Sequence, residues 1–437
     1  MGQTENKGQS LAILHETLRE LKKEGNADGA ESELIKAKIK KALPAVDTGG
    51  KLPQKKTPSG RAQVLHMNYL RSQTAQGIET ELEHLRFFAR TAKELGLRLE
   101  ILTHWENRAD VDRELEKAEY VGLDYALTES QQPVSKWAED SVEYLSNGKM
   151  AVLPVFDKEL LAWAMTAGRR QRWQGKVPQE ILTEALQEDH LWVPLGIWVN
   201  ARETGAEVER TAQDSEPAVG HIRAYIEGGN MLTGEDATGK PVILVGRDAI
   251  ASTAHLYQLK ANDVRQIIRE DFGLDTIDQV ICVEQPGQFH LDMGMLFLGQ
   301  GIVVVNDSSA ALNDATEMAE AVPCMTTKTM AAKLQLQCAL ETASAQDLKS
   351  AELTVIREKL ENGVFYNFFN GEFVVGKDGC DYYITNGGPK EQEEGFEALI
   401  VKEWQVVKGV VFSPPTAAQQ SLQERGGVGC RLKGSSQ

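Results

Sequence analysis

The clearest structural pattern in this chain lies in the segment FHLDMGMLFLGQGIVVV, residues 289–305. Two short apolar runs, residues 293–298 and 301–305, are separated by glycine and glutamine and are typical of strands. A histidine and an aspartate, His290 and Asp292, come directly before the first run. Because alternate residues of a strand face the same side, we expect these two side chains to point into one polar site.

Similar short strands alternate with single helices from residue 62 to residue 437. The other predicted strands are 62–69, 97–102, 120–126, 220–226, 241–245, 279–284, 372–375 and 381–385, with a hairpin over 141–154. The predicted helices are 80–95, 159–167, 262–271, 311–321 and 344–362. This alternation predicts an α/β or α+β fold. The units share no obvious sequence period, so self-similarity alone predicts neither a solenoid nor a propeller.

The first 60 residues differ in composition from the rest of the chain. Residues 9–24 carry leucines at three- and four-residue steps, which predicts an amphipathic helix, and a second helix is predicted over 31–43. Residues 44–60 are rich in proline, glycine and lysine, as linkers are. We therefore expect a helical appendage and linker over residues 1–60 and one main domain over residues 61–437.

Charge and composition narrow the partners and the compartment. The net charge of −17 argues against nucleic acid and anionic membranes, and it suits a cationic substrate as well as simple solubility. The five cysteines form no C-x-x-C pair, which predicts neither a disulfide framework nor a zinc site. No run of about 18 apolar residues and no apolar signal segment is found, so a cytoplasmic protein without a membrane span is expected.

Three further motifs place reactive or polar side chains beside glycines or in a loop. They are WAED at residues 137–140, EGGN at residues 227–230 and GGVGC at residues 426–430. Taken singly, each motif is as typical of ordinary turns and packing as of a functional site. Together with His290 and Asp292 they supply a thiol, an imidazole and carboxylates. Such a set suits covalent chemistry on a positively charged carbon.

The order of these motifs, W-x-x-D, E-G-G-N, H-x-D and a glycine-rich cysteine, resembles that of the guanidino-group-modifying enzymes. This superfamily includes the agmatine, arginine and protein-arginine deiminases and the amidinotransferases. The resemblance spans residues 62–437 and is nearest to the protein-arginine and agmatine deiminase branches. It implies a five-bladed α/β propeller, the pentein fold, which here would carry the N-terminal helical appendage. Residues 61–437 would then be the catalytic domain.

The resemblance also implies a role for each motif residue. Cys430 would be the nucleophile, His290 the general acid and base, and Glu227 the group that holds His290. Asp140 and Asp292 would bind the guanidinium as paired carboxylates. The remaining residues assigned to substrate binding are Trp137, Gly228 and Gly229.

The implied reaction is hydrolysis of a guanidinium group to a ureido group and ammonia through a covalent thiouronium intermediate. The implied partner is a guanidinium-bearing small molecule or peptide, such as arginine or peptidyl-arginine, with no cofactor, no metal, no nucleic acid and no membrane. Self-association into a homo-oligomer stays open. Two alternatives also stay open: an amidinotransferase that uses the same cysteine and histidine, and a non-catalytic binding protein of the same fold.

Two positions depart from the pattern of these enzymes. Gly429 stands directly before the cysteine, where the relatives often carry histidine, and Glu139 stands before Asp140, where the agmatine enzymes usually carry arginine. The second departure argues against free agmatine as the substrate. Residues 168–218, which contain several arginines and tryptophans, have no counterpart in the pattern and are a candidate lid or insertion.

Overall fold

The computed structural model describes residues 52–130, 134–140, 142–146, 150–152, 220–221, 224, 226–257, 259–286, 290–360, 366–424 and 426–436. The two predicted N-terminal helices, the predicted helix 159–167 and the candidate lid 168–218 lie outside these residues.

Within this part of the chain, sixteen strands form five separate sheets. The strands are β1 (Val64–Tyr69), β2 (Arg98–His104), β3 (Tyr125–Ser130), β4 (Val142–Tyr144), β5 (Met150–Val152), β6 (Gly220–His221), β7 (Met231–Glu235), β8 (Pro241–Gly246), β9 (Val280–Val283), β10 (Met295–Gly299), β11 (Ile302–Asn306), β12 (Thr354–Glu358), β13 (Gly371–Val375), β14 (Asp381–Thr385), β15 (Gly409–Phe412) and β16 (Leu432–Ser435).

The same strand order recurs in all five sheets. The sheets β4-β5-β6, β7-β8-β9, β10-β11-β12 and β13-β14-β15 each contain an antiparallel pair followed by a parallel strand. The fifth sheet, β16-β1-β2-β3, begins with β16 antiparallel to β1 and then continues in parallel. The sheet that contains the first described strand is therefore completed by β16, near the other end of the chain.

The described residues also form nine α-helices, most of which lie between the parallel strands of a sheet, as the longer crossover of a parallel pair requires. They are α1 (Ala75–Leu95), α2 (Arg108–Leu115), α3 (Arg247–Tyr257), α4 (Ala261–Asp271), α5 (Ser309–Ala321), α6 (Met325–Ser350), α7 (Lys390–Glu397), α8 (Pro415–Gln423) and the short α9 (Val428–Arg431). Among these helices none is long and apolar enough to cross a membrane. The predicted alternation of strands and helices is confirmed.

The central strand of a sheet is buried on both faces. In β11, Val303 and Val305 pack in a cluster that includes Leu348 of α6. Val304, on the opposite face, packs in a cluster that includes Phe373 of the neighbouring sheet. All three valines are fully buried, so the sheet lies between its own helix and the next sheet. This packing explains why the strand is an unbroken apolar run rather than an alternating one.

Residues 52–60, which the sequence assigns to a linker, lie against two sheets. Pro53 pairs with Leu145 just beyond β4. The Lys56 backbone N–H donates to the Thr233 carbonyl of β7, at 2.9 Å. This segment therefore follows the edge between the sheets of β4 and β7 before the chain enters β1.

Two predicted elements were wrong in extent. The predicted helix over 344–362 ends at Ser350 and is followed by the strand β12 (Thr354–Glu358). Glu352 has a φ of 63°, a left-handed conformation that ends a helix, and β-branched residues follow it. The predicted strand 120–126 is displaced to Tyr125–Ser130.

Candidate active site

Each of the five sheets contributes polar residues that come shortly before the strand that opens its antiparallel pair. These residues are Asp140 before β4, Glu227 before β7, His290 and Asp292 before β10, Asn370 before β13 and Cys430 before β16. All six side chains are buried. The sheets thus deliver their polar residues to one place, although the residues are far apart in sequence.

His290 and Asp292 do not lie on a strand, as the sequence pattern suggested. Residues Leu291–Met293 form a single 3-10 turn, closed by a 3.0 Å hydrogen bond from the Gly294 N–H to the Leu291 carbonyl, and β10 begins only at Met295. The expectation that both side chains reach one site is nevertheless met: ligand atoms of His290 and Asp292 lie within 4.8 Å of each other and of Cys430 Sγ.

The imidazole of His290 lies between two carboxyl groups, one of which forms a hydrogen bond with it. Its Nε2 forms a 2.6 Å hydrogen bond with Glu227 Oε2. Its Nδ1 lies 3.9 Å from Asp140 Oδ1. Because Nε2 is engaged by Glu227, Nδ1 is the ring atom that faces the other polar groups and can exchange a proton with them.

Asn370 connects the cysteine to Asp292, and the sequence motifs did not reveal it. Its Nδ2 donates to Asp292 Oδ2 at 2.6 Å and lies 3.4 Å from Cys430 Sγ. Its Oδ1 accepts from the Cys430 N–H at 3.3 Å. One amide group therefore fixes the backbone of the thiol-bearing turn and orients one carboxylate. Asn370 comes shortly before β13, just as each of the other site residues comes shortly before the first strand of its own hairpin.

The two glycines of the EGGN motif allow the loops to approach each other. The Gly228 N–H donates to the Asp140 carbonyl at 3.2 Å. A Cβ atom at Gly228 would lie 1.9 Å from the Glu139 carbonyl oxygen, and one at Gly229 would lie 2.5 Å from His290 Nδ1. Only glycine fits either position without displacing the site. Direct substrate contact by Gly228 and Gly229 stays a prediction.

Trp137 forms an apolar wall beside the thiol. Its side chain packs in a small cluster with Met293, Leu422 and Cys430. The Arg431 guanidinium lies 5.1 Å from the centre of the indole ring. The structure shows that Trp137 packs against Cys430. Contact between Trp137 and a substrate stays a prediction.

Burial disfavours the charged form of every titratable group at the centre. It raises the pKa of Asp140 to about 8, against the opposing charge of His290, and it holds the pKa values of Asp292 and Glu227 well above their usual range. Burial lowers the pKa of His290 and raises that of the Cys430 thiol, which two nearby aspartates raise further. A bound cation would reverse the shifts of the carboxyl and thiol groups.

Several buried carboxyl oxygens at the site lack a hydrogen-bond donor among the described residues, and they include one oxygen on each of the two aspartates. Among the described residues, no hydrogen-bond donor reaches Asp140 Oδ1 or Asp292 Oδ1. When Asp292 is protonated, it can bond to the neighbouring Glu139 carboxylate. Buried carboxylate oxygens normally accept hydrogen bonds, so these two atoms are suited to a ligand that brings N–H donors.

The site offers little for a metal ion. His290, Asp292 and Cys430 are the one group of potential ligands in the described residues close enough to share an ion. Three such side chains do not complete a closed structural zinc site, and Asn370 already donates to Asp292. We assign no metal, and the predicted absence of metal and cofactor stays a prediction.

Comparisons with known proteins bear on the fold. No protein-family model matches the sequence, and no curated protein matches it. Among the solved structures that resemble the chain are two agmatine deiminase structures, each at 12% sequence identity. An X-ray structure provisionally assigned as an agmatine deiminase has a TM-score of 0.58, over 90% of this chain and 97% of the other. The agmatine deiminase of Enterococcus faecalis has a TM-score of 0.53, over 90% and 98%.

These likenesses span nearly the whole of both chains, so they concern the complete domain rather than one sheet. The α/β fold that the motif resemblance implied is thereby supported. The chain has the α/β fold of the agmatine deiminases.

Proposed function

We propose that this protein is a cysteine-dependent deiminase that hydrolyses a guanidinium group to a ureido group and ammonia. The observation that carries the proposal is the convergence of Cys430, His290 and Asp292 within 4.8 Å, beside Asp140 and Glu227. We also propose that the five sheets are the blades of a pentein propeller around this site. Their shared strand order supports this, as does the position of each site residue before the strand that opens its sheet.

A guanidinium ion fits the two open carboxylates in shape and charge. It is planar, it stays protonated at any physiological pH, and its N–H donors lie in a fixed fork. Asp140 and Asp292 present acceptor oxygens that no donor among the described residues fills. In the proposed complex each carboxylate is ionised and accepts from the guanidinium. Binding therefore releases the protons that burial had kept on these groups.

The cation also prepares the thiol for attack. The Cys430 thiol proton passes to Nδ1 of neutral His290, whose Nε2 stays bound to Glu227. The thiolate sulfur bonds to the central carbon, and the electrons of one C–N double bond move to nitrogen to give a neutral tetrahedral adduct. The imidazolium then donates its proton to one amino group. That C–N bond breaks and ammonia leaves. A positively charged thiouronium group remains covalently bound to Cys430.

Water completes the reaction by the reverse use of the same groups. His290 accepts a proton from water as the oxygen bonds to the thiouronium carbon. The C–S bond then breaks, and its electrons return to sulfur while the ureido product forms. The proton on the product oxygen moves to the sulfur and restores the thiol. The imidazolium of His290 then releases to solvent the proton that it accepted from water. The atoms balance as guanidinium plus water to ureido product, ammonia and one proton.

The proposed binding step predicts a rise of kcat/KM with pH. The binding form of Asp140 is the carboxylate, and its pKa in the ligand-free site is about 8. At pH 6 only about 1% of this group is ionised, so kcat/KM should be at least about 100-fold below its alkaline plateau, since Asp292 must ionise as well. Initial rates from pH 6 to 9 test this, and a flat or falling profile would contradict it.

The reaction itself is tested by assaying ammonia and ureido products from arginine, agmatine, methylated arginines and an arginine-containing peptide. We expect both products, in equal amounts, from at least one of these compounds without any added amine. Ammonia or product formation that requires an added amine would favour the amidinotransferase. If no compound reacts and none binds, the deiminase proposal is wrong. A peptide or small-molecule substrate and a cytoplasmic location remain proposals from the sequence.

A further inference from the structure

A cluster of buried charges lies directly behind the loops that carry Asp140 and Glu227. It contains two lysines, Lys56 and Lys433, and three glutamates, Glu139, Glu143 and Glu372. The side chains of Lys433 and the three glutamates are almost completely buried, and that of Lys56 is 9% exposed. The proposed mechanism uses none of these groups. Buried charges are expensive unless they are paired, so their place next to a cation-binding site calls for an explanation.

Lys56 reaches this cluster from the segment at residues 52–60. The backbone up to and including Lys56 is fixed: the Gln54 N–H donates to the Tyr144 carbonyl at 2.7 Å, and the Lys56 N–H donates to the Thr233 carbonyl at 2.9 Å. The adjacent Lys55 points the other way and pairs with Glu235 at 2.8 Å. The segment is thus held so that only one of its two neighbouring lysines enters the site.

The ammonium group of Lys56 touches both loops that precede β4 and β7. It donates to Glu139 Oε1 and, at 2.6 Å, to the Gly228 carbonyl oxygen. Glu139 directly precedes Asp140, and Gly228 directly follows Glu227. Each contact is therefore one residue away from a residue assigned to the chemistry.

The titratable groups that face Lys56 come from every element packed around it, and they are Glu139, Asp140, Glu143, His290, Asp292, Glu372 and Lys433. Lys433 pairs with Glu143 at 2.6 Å, which leaves Lys56 as the main partner of Glu139. Burial acts to raise the pKa of Glu139, but Lys56 and Lys433 lower it overall. Glu139 in turn raises the pKa of Asp292, while Lys56 lowers the pKa values of Asp292 and Asp140.

We propose that Lys56 is a positioning residue of the guanidinium site, whose ammonium group fixes Glu139 and the Gly228 carbonyl and supplies the positive charge that lets Asp140 and Asp292 ionise. Without it, the negative charge of Glu139 would keep only the more distant Lys433, at 3.8 Å, beside two aspartates that must themselves become negative. The inference rests on the proposed function, since it concerns the same site. It also assigns residues 52–60 to the domain that contains the proposed active site, rather than to a linker.

The test measures alkylation of Cys430 by two matched reagents, the cationic chloroacetamidine and the neutral chloroacetamide. The ratio of their rates reports preference for a planar cation, and the ionisation of the thiol itself cancels in the ratio. Labelling is read by mass spectrometry on the Cys430 peptide, because exposed Cys324 also reacts. We expect the wild-type ratio to rise with pH, and Lys56→Met to move the midpoint of that rise upward by about one pH unit.

The neighbouring lysine supplies the control. Lys55→Met removes the same charge from the same segment and should leave the midpoint where it is in the wild type. Should Lys56→Met fail to fold, the double variant Lys56→Met/Glu139→Gln is compared with Glu139→Gln, because neither leaves Glu139 charged and unpaired. The double variant should again have the higher midpoint.

The two proposals fail in different ways. If the wild type shows no preference for the cationic reagent at any pH, the guanidinium site itself is wrong. If the wild type shows the preference but removal of Lys56 leaves the midpoint within 0.2 pH units in the folded variant, the role of Lys56 is wrong and the deiminase proposal stands. An equal movement of the midpoint in Lys55→Met would also overturn the inference, since the effect would not depend on position.

Discussion

Cys430→Ala is expected to lower kcat by about 10⁴-fold or more, because the covalent route needs a sulfur atom to attack the guanidinium carbon. Cys430 is buried beside Asp292 and Asn370, and no other described cysteine is placed in this site. The same variant should still bind the substrate, since both guanidinium-binding carboxylates remain. Turnover is measured as ammonia release, and binding is measured by calorimetry.

The fold should survive this substitution. The thiol packs against Trp137, Met293 and Leu422, and loss of one buried sulfur costs about 1–2 kcal/mol. Cys324→Ala, at an exposed position, is the matched control and should retain full activity. If Cys430→Ala turned over substrate at a wild-type rate, the covalent mechanism would be wrong.

Asp140→Asn is expected to weaken kcat/KM by roughly 100-fold or more, corresponding to about 3 kcal/mol of lost transition-state stabilisation. The amide keeps the size of the side chain but cannot carry the negative charge that pairs with the guanidinium. Its NH₂ group would also point donors toward a ligand that itself has only donors. The effect should be seen in binding as well as in turnover, because the lost ion pair exists in both states.

The control for this variant is Asp278→Asn, the same change at an exposed residue, which should alter neither parameter. Binding is compared in the Cys430→Ala background, so that turnover does not deplete the substrate. Calorimetry in two buffers of different ionisation enthalpy should also show fewer protons released by Asp140→Asn. Wild-type affinity in Asp140→Asn would show that this carboxylate does not bind the cation.

The residues of the candidate site were largely predictable, while the local structure that places them was not. His290 and Asp292 were expected on a strand, yet a 3-10 turn carries them. Spacing of two residues puts side chains on one side of a strand, and in a tight turn it can do the same. The sequence pattern therefore predicted the two neighbours correctly but the wrong backbone conformation, since Gly294 separates the 3-10 turn from β10.

Asn370 was missed for a different reason. It belongs to a structural repeat, in which a polar residue precedes the hairpin of each sheet, and the sequence shows no corresponding period. Apolar cores accept many substitutions of similar volume, so five sheets of one topology need not share a sequence. Aligning the hairpins by their strand order would have pointed to Asn370, since it falls where Glu227 and Asp140 fall.

Lys56 could not be recognised from composition. Lysine is rarely buried, and a segment rich in proline, glycine and lysine is typical of a solvated linker. What makes this lysine different is a buried partner, Glu139, that lies far away in sequence. Long-range charge pairs of this kind become visible only when the strands that bring them together are known.

The pairing of β16 with β1 has a consequence for biosynthesis. Val64 is among the first described residues to leave the ribosome, but its strand lacks its antiparallel partner until Ser435 has been added. Contacts between such distant residues form slowly, since a long loop must close first. Cys430 lies directly before β16, so the thiol can meet His290 only after this late step. The proposed site is therefore assembled only after β16 has been synthesised and has paired with β1.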